Sequence, residues 1–148
     1  MRRMLPTPYL FGAIVLGILA LLNIVWLRHN SISTAIAIAL YLVVFTLAFF
    51  GGRSAKLSSS RPGLYGAMIG VLFGVIAGLG SFLVRDSLRD IDVPAHLAVR
   101  LKLLAWANSP GGHIAALVTA MVAFGVISLV VGSIGGVSVK GPTRPGKA

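Results

Sequence analysis

The sequence predicts an all-α integral membrane protein: a four-helix bundle of two antiparallel hairpins, with a short interfacial helix between the third and fourth helices. Composition is the first observation behind this prediction. Hydrophobic residues make up 57% of the 148-residue chain and charged residues only 11%, whereas soluble domains average about 25% charged residues. The second observation is that the apolar residues lie in four long runs, each able to cross a ~30 Å hydrocarbon core as a helix. A chain of 148 residues is also short enough to predict a single domain.

The four runs define the predicted spans. None of them contains Asp, Glu, Lys, Arg or His. They cover residues 9–27, 32–50, 64–84 and 114–134. A basic start followed by an apolar run is also typical of a secretory signal. However, the first run is longer than a signal core, and no small-residue cleavage site follows it. We therefore expect it to be retained as the first helix.

The connections between these spans differ in length. Residues 28–31 are predicted to form a tight turn, which would make the first two helices antiparallel neighbours. Residues 51–63 begin with Gly-Gly and contain serines and basic residues, so a polar connection is predicted there. Residues 85–113 form the only long connection.

The long connection is predicted to contain an interfacial helix at residues 94–107. Asp92 is a suitable N-cap and Pro94 would lie near the helix start. The segment is largely apolar, and Trp106 would lie at head-group depth in the outer leaflet. The Ser-Pro-Gly-Gly sequence at 109–112 is expected to separate this helix from the fourth span.

Basic residues are unequally divided between the two ends of the predicted bundle. The end with both termini and residues 51–63 has eight basic and no acidic residues, and the other end has five basic and three acidic residues. The positive-inside rule then predicts cytoplasmic termini and a single orientation. Because these charges flank apolar spans, the net charge of +10 indicates contact with anionic lipid head groups rather than with nucleic acid.

The third span carries a glycine at every fourth position: Gly66, Gly70, Gly74 and Gly78. This spacing places all four on one helix face, where another backbone can approach closely. One interpretation is that this face packs against another helix of the same chain. The other is that it forms a subunit interface or lines a narrow path.

Three polar residues lie within the predicted spans at similar distances from their outer ends: Asn23, Ser81 and Thr119. They are candidates for a hydrogen-bonded layer or the floor of an outward-facing pocket. The simpler interpretation is that the two hydroxyls bond to their own helix backbones. Asn23 would then join two helices, because an amide in hydrocarbon needs a partner.

The composition also excludes several activities. The chain has no cysteine, so thiol chemistry and cysteine-ligated metals are excluded. Spans without ionisable residues disfavour proton-coupled transport. The sequence also lacks paired acids and bases that would indicate an enzyme. Histidine and aspartate occur in the outer loops without metal-ligand spacing, and we expect no metal or cofactor. Residues 137–148 are expected to form a flexible basic tail. Residues Gly141–Lys147 match the spacing of a phosphate-binding loop, but the Ser or Thr that this motif requires does not follow them.

The stretch from Gly51 to Ala67 resembles a pattern in small uncharacterised four-helix membrane proteins of bacteria and archaea. In that pattern a Gly-Gly-x-x-Ala turn, here residues 51–55, precedes a glycine-rich third helix that begins with Gly-Ala, here Gly66-Ala67. The resemblance implies the architecture and a prokaryotic inner (plasma) membrane. It implies no activity.

Two hypotheses about function follow. In the first, the protein is a non-enzymatic membrane scaffold or accessory subunit that packs through its glycine-rich helix, either with copies of itself or within a larger complex. In the second, it is a channel or uncoupled transport component for a small solute or ion, with a path formed by oligomerisation.

Overall fold

The structure is a computed structural model that describes residues 7–27, 31–58, 60–91, 93, 94 and 96–139. Within these residues the chain is helical, without a strand. The helices are α1 (Thr7–Leu27), α2 (Ser31–Leu57), α3 (Pro62–Gly78), α4 (Gly80–Leu83), α5 (Leu97–Ala107) and α6 (Pro110–Val137). Four candidate membrane spans are present, because α3 and α4 together form the third. The prediction of four apolar helices is therefore confirmed.

Helix α3 is the central element of the described chain. It contacts α1, α2 and α6, and its contact with α6 is the most extensive. In contrast, α1 and α6 do not touch each other in the described residues. We call the end with residues 58–61 and Val137 the terminal end, and the end with α5 the α5 end.

Helix α2 is longer than the sequence predicts. The predicted polar connection 51–63 is wrong in its first half, because α2 continues through the two glycines to Leu57. Glycine has a low helix propensity, but here tertiary packing outweighs it. Gly51 lies against the Tyr65 and Ile69 side chains, and Gly52 lies against the Gly132 backbone. The Gly-Gly-x-x-Ala segment is therefore helical and not a turn.

The third span runs from Pro62 to Leu83 and changes its hydrogen-bond pattern at Leu79, where the backbone angles remain right-handed helical. Helix α3 ends at Gly78, and the single turn of α4 begins at Gly80. The Ser81 hydroxyl donates a hydrogen bond to the Gly78 carbonyl oxygen at 2.8 Å. A side chain thus bonds to a carbonyl group of its own helix, as serine does within apolar helices.

The boundaries of the last two helices also differ from the prediction. Helix α5 begins at Leu97, three residues after the predicted start, and the proposed cap Asp92 lies outside the described residues. The predicted separation of the two helices at 109–112 is confirmed, since α5 ends at Ala107 and α6 begins at Pro110, but residues 110–112 already belong to α6. The Ser109 hydroxyl accepts a hydrogen bond from the Gly112 amide, and proline suits the first helical position because it needs no amide partner there. Residues 28–30 and 140–148, from the predicted turn and tail, are also outside the described residues.

Small residues and aromatic rings form the interior. The buried apolar residues include five alanines, together with Val44, Tyr65, Ile69 and Phe73. Large aliphatic side chains point outward from all four long helices, and many are about half exposed. An apolar exterior around a core of small residues is typical of helices that pack in lipid.

Candidate functional site: a cleft at the α5 end

The four glycines that occur at every fourth position of α3 all face α6. A Cβ atom at Gly74 would lie 2.7 Å from the Ala120 carbonyl oxygen, and one at Gly78 would lie 2.9 Å from the Leu117 side chain. At Gly66 and Gly70, a Cβ atom would overlap backbone carbonyl oxygens of α6. The glycine face is therefore occupied by another helix of the same chain.

Helices α2 and α6 are also in backbone contact near the terminal end. Gly52 lies against the backbone of Gly132, and Gly135 lies against the carbonyl group of Phe49. Neither position has space for a side chain. The two helices are therefore closest together at this crossing.

Aromatic rings separate the same helices halfway along the span. The rings of Tyr41 and Phe124 lie 5.0 Å apart, and the rings of Phe73 and Phe124 lie 4.7 Å apart in an edge-to-face arrangement. Phe45 also packs on Phe124, with a centroid separation of 6.0 Å. We call these four residues the aromatic cluster. Side chains here occupy the space that backbone atoms occupy at the terminal end.

Beyond the aromatic cluster, the space between the helices is a cleft of about 690 Å³. Helix α2 contributes only Tyr41 to its lining and α1 only Ile24. Helix α6 contributes more lining residues than any other helix, and six of them are small: Gly112, Ala115, Ala116, Thr119, Ala120 and Ala123. We call this space the α5-end cleft. The small side chains of α6 leave this space open beside the rings of Tyr41 and Phe124.

Polarity changes along the α5-end cleft. At the aromatic cluster its wall consists of rings and alanine methyl groups. Towards the α5 end it includes the side chains of Ser81, Thr119 and His113, and its mouth includes Asp86 and Trp106. The cleft is thus less polar beside the aromatic cluster than at its mouth, an arrangement that suits an amphipathic ligand.

The structure separates the predicted polar layer into two parts. Ser81 and Thr119 both line the α5-end cleft, and Ser81 also lies 3.4 Å from the His113 carbonyl oxygen. Asn23 is not part of this lining. It is buried, and its Nδ2 donates a hydrogen bond to the Ser33 carbonyl oxygen at 3.1 Å. Asn23 therefore joins α1 to α2.

The connection beside the cleft mouth is held by side chains of α5 and its C-cap. Asn108 accepts a hydrogen bond from the Asp86 amide at 2.7 Å and donates one to the Asp86 carbonyl oxygen at 3.0 Å. Arg100 donates a hydrogen bond to the Leu88 carbonyl oxygen at 2.7 Å. These bonds tie the segment after α4 to both ends of α5. Trp106 is thereby held at the mouth.

Among the described residues, no group of three His, Cys, Asp or Glu side chains could hold a metal ion. His29 and Asp92, two of the residues that raise this alternative in the sequence, are outside the described residues.

Sequence reasoning missed most of the cleft, including Trp106, Asp86 and the small residues of α6. One signal was present, because Gly112, Ala116 and Ala123 lie at helical spacings along the fourth span. Such a stripe also predicts ordinary helix packing. Only the positions of α2 and α3 reveal that part of this stripe faces open space.

No protein-family model matches this chain, and neither the curated proteins nor the solved structures include a significant match.

Proposed function

We propose that this protein is a non-enzymatic scaffold or accessory subunit of a membrane complex, either a homo-oligomer or a larger assembly. It would lie in a prokaryotic inner membrane as a multi-pass protein with cytoplasmic termini. Its basic terminal end would contact anionic head groups. The exposed apolar surface of α5 is the observation that carries the proposal.

Helix α5 has 11 residues, none of which is buried. Leu97, Leu101 and Trp106 are 62%, 48% and 58% exposed. Among the other helices α5 contacts only α6. A helix with this much exposed apolar surface suits a head-group region or a partner subunit.

The hydrogen bonds from Asn108 and Arg100 support docking of a partner on α5. They fix α5 relative to the segment that follows α4, so a partner would meet a preformed surface. A preformed surface loses less conformational entropy when it binds. The glycine face of α3, the other candidate interface, already packs against α6. We therefore place the proposed docking surface on α5.

A channel within a single chain has less support. The α5-end cleft ends at the Tyr41 and Phe124 rings, and near the terminal end α2 and α6 are in backbone contact. A path across the membrane would have to form between several chains.

The proposal can be tested by native mass spectrometry in a mild detergent. Wild-type protein, isolated from its own membranes, is expected in an assembly heavier than the 15.4 kDa chain. The double variant Leu97→Ser/Leu101→Ser is expected to leave that assembly, because it removes apolar side chains from one face of α5. Leu57→Ser is the control, since Leu57 is a similarly exposed leucine at the terminal end (54%).

Either of two results would contradict the proposal. One is that the wild-type protein is a single chain under these conditions. The other is that the α5 double variant keeps the same partners and stoichiometry as the Leu57→Ser control.

A further inference from the structure

The volume of the α5-end cleft matches that of a ligand site. Pockets that bind small molecules have volumes of about 300–1,000 Å³, and this cleft has about 690 Å³. Most of the accessible surface of its lining is apolar. Its volume and lining therefore suit a largely hydrocarbon ligand.

The cleft is open along α6, towards the outer surface of the helices. Ala116, Thr119 and Ala123 line the cleft and are also exposed. Their neighbours Val118 and Val122 are 45% and 52% exposed and do not line it. The wall of the cleft is thus continuous with an apolar outer surface that would face the bilayer, so a lipid could enter without crossing water.

Gly78 and Ser81 of the third span also line the cleft. Gly78 lacks a side chain, and Ser81 carries a hydroxyl that bonds to the carbonyl oxygens of Gly78 and His113. The third span therefore contributes both space and a polar group to the wall of the cleft.

From these observations we propose that the α5-end cleft binds one membrane phospholipid. Its acyl chain would lie against the rings of Tyr41 and Phe124. Its head group would lie beside Trp106, Asp86 and His113, because the carboxylate and the imidazole of the lining are there. Indole rings favour the membrane interface, where one side is apolar and the other is hydrated. This proposal does not depend on assembly through α5.

The chain contains two tryptophans, which makes a fluorescence test direct. Trp26→Phe leaves Trp106 at the cleft, and Trp106→Phe leaves Trp26, which is 78% exposed at the end of α1 and does not line the cleft. Each purified full-length variant would be titrated in mild detergent with a phosphatidylethanolamine brominated in its acyl chains. Bromine quenches tryptophan only at close range.

A specific site predicts that quenching of Trp106 saturates near one lipid per chain. Quenching of Trp26 should follow the lipid-to-detergent ratio without saturation. We expect the lipid concentration that gives the same fractional loss of fluorescence to be about tenfold lower for Trp106 than for Trp26, which corresponds to ~1.4 kcal/mol. Equal curves for the two tryptophans would overturn the proposal, and this comparison requires no change in the cleft wall.

Two matched double variants of the Trp26→Phe protein then locate the site. Thr119→Phe/Ala123→Phe fills the cleft from its exposed wall and is expected to abolish saturable quenching of Trp106. Val118→Phe/Val122→Phe adds the same rings at the same depth outside the cleft and should leave it unchanged. Equal effects of the two variants, with helicity retained by circular dichroism, would contradict the proposal. So would saturation by a brominated fatty acid but not by the phospholipid.

Discussion

At the scale of single residues, the glycines of this protein have two different roles. Gly70 and Gly52 lie where a Cβ atom would overlap a backbone carbonyl oxygen of α6. Gly111, in the first turn of α6, has only the Ser109 hydroxyl oxygen nearby, 3.7 Å from an added Cβ atom. Backbone atoms cannot rotate away from an added methyl group, whereas the tip of a side chain can. The same substitution should therefore have opposite consequences at these positions.

Gly70→Ala is expected to lower the free energy of unfolding by about 1–3 kcal/mol, the usual cost of overpacking an interior. Gly111→Ala is the control and should be neutral or stabilise the protein by up to ~1 kcal/mol, because alanine is the better helix former. Circular dichroism during titration of detergent micelles with dodecyl sulfate measures both changes. If Gly70→Ala unfolds at the same dodecyl sulfate fraction as wild type, the close α3–α6 packing is wrong.

The limit of sequence prediction at this scale is visible in α3 and α6. Spacing by four places Gly66, Gly70, Gly74 and Gly78 on one face without any structural information, because the helical period alone determines it. The helix that covers this face does not follow from spacing. The cleft was still less predictable, since Ala116 and Ala123 differ from packed alanines only in what the neighbouring helices leave uncovered.

At the scale of elements, the long apolar runs could be predicted because length and hydropathy decide whether a helix can span a bilayer. Their ends could not be predicted equally well. Gly51 and Gly52 read locally as a turn, and residues 109–112 read as a break. Residues 51–52 are helical because they contact α3 and α6, and residues 110–112 are helical because Ser109 caps them. Contacts distant in sequence, together with one side-chain cap, decided these boundaries.

The two hydrogen bonds between Asn108 and Asp86, which we call the Asn108 clamp, should slow amide exchange in α5 and in the segment after α4. Asn108→Leu keeps a side chain of similar size but removes both hydrogen bonds, each worth about 0.5–1.5 kcal/mol. We expect faster amide hydrogen exchange in residues 84–91 and 97–107, with α1 and α3 unchanged. Lys102→Ala, an exposed position on α5, is the control. Equal rates of amide hydrogen exchange in the two variants would show that the Asn108 clamp does not hold residues 84–91 against α5.

At the scale of the whole molecule, the described chain has a graded interior. Backbone contacts close the terminal end, aromatic rings fill the middle and the α5-end cleft lies beyond them. Large residues in the lining of α6 would close the cleft, whereas small residues at the α2–α6 crossing allow the tight end to form. The sizes of a few side chains therefore decide which end of the molecule is open.

Which side of the membrane the open end faces depends on charge. Arg53, Lys56 and Arg61 lie at or beside the end of α2, at the terminal end, so the positive-inside rule predicts that this end faces the cytoplasm. The chain has no cysteine, and single cysteines at Ser58 and Val93 can therefore report the orientation. In intact cells, a membrane-impermeant maleimide should label Val93→Cys. It should label Ser58→Cys only after permeabilisation.

Replacing Arg53, Lys56 and Arg61 with glutamine should make labelling of Ser58→Cys in intact cells detectable, because the charge difference between the two ends of the molecule falls. Labelling of Ser58→Cys but not Val93→Cys in intact cells would place the α5-end cleft on the cytoplasmic side, and the proposed lipid would then come from the inner leaflet.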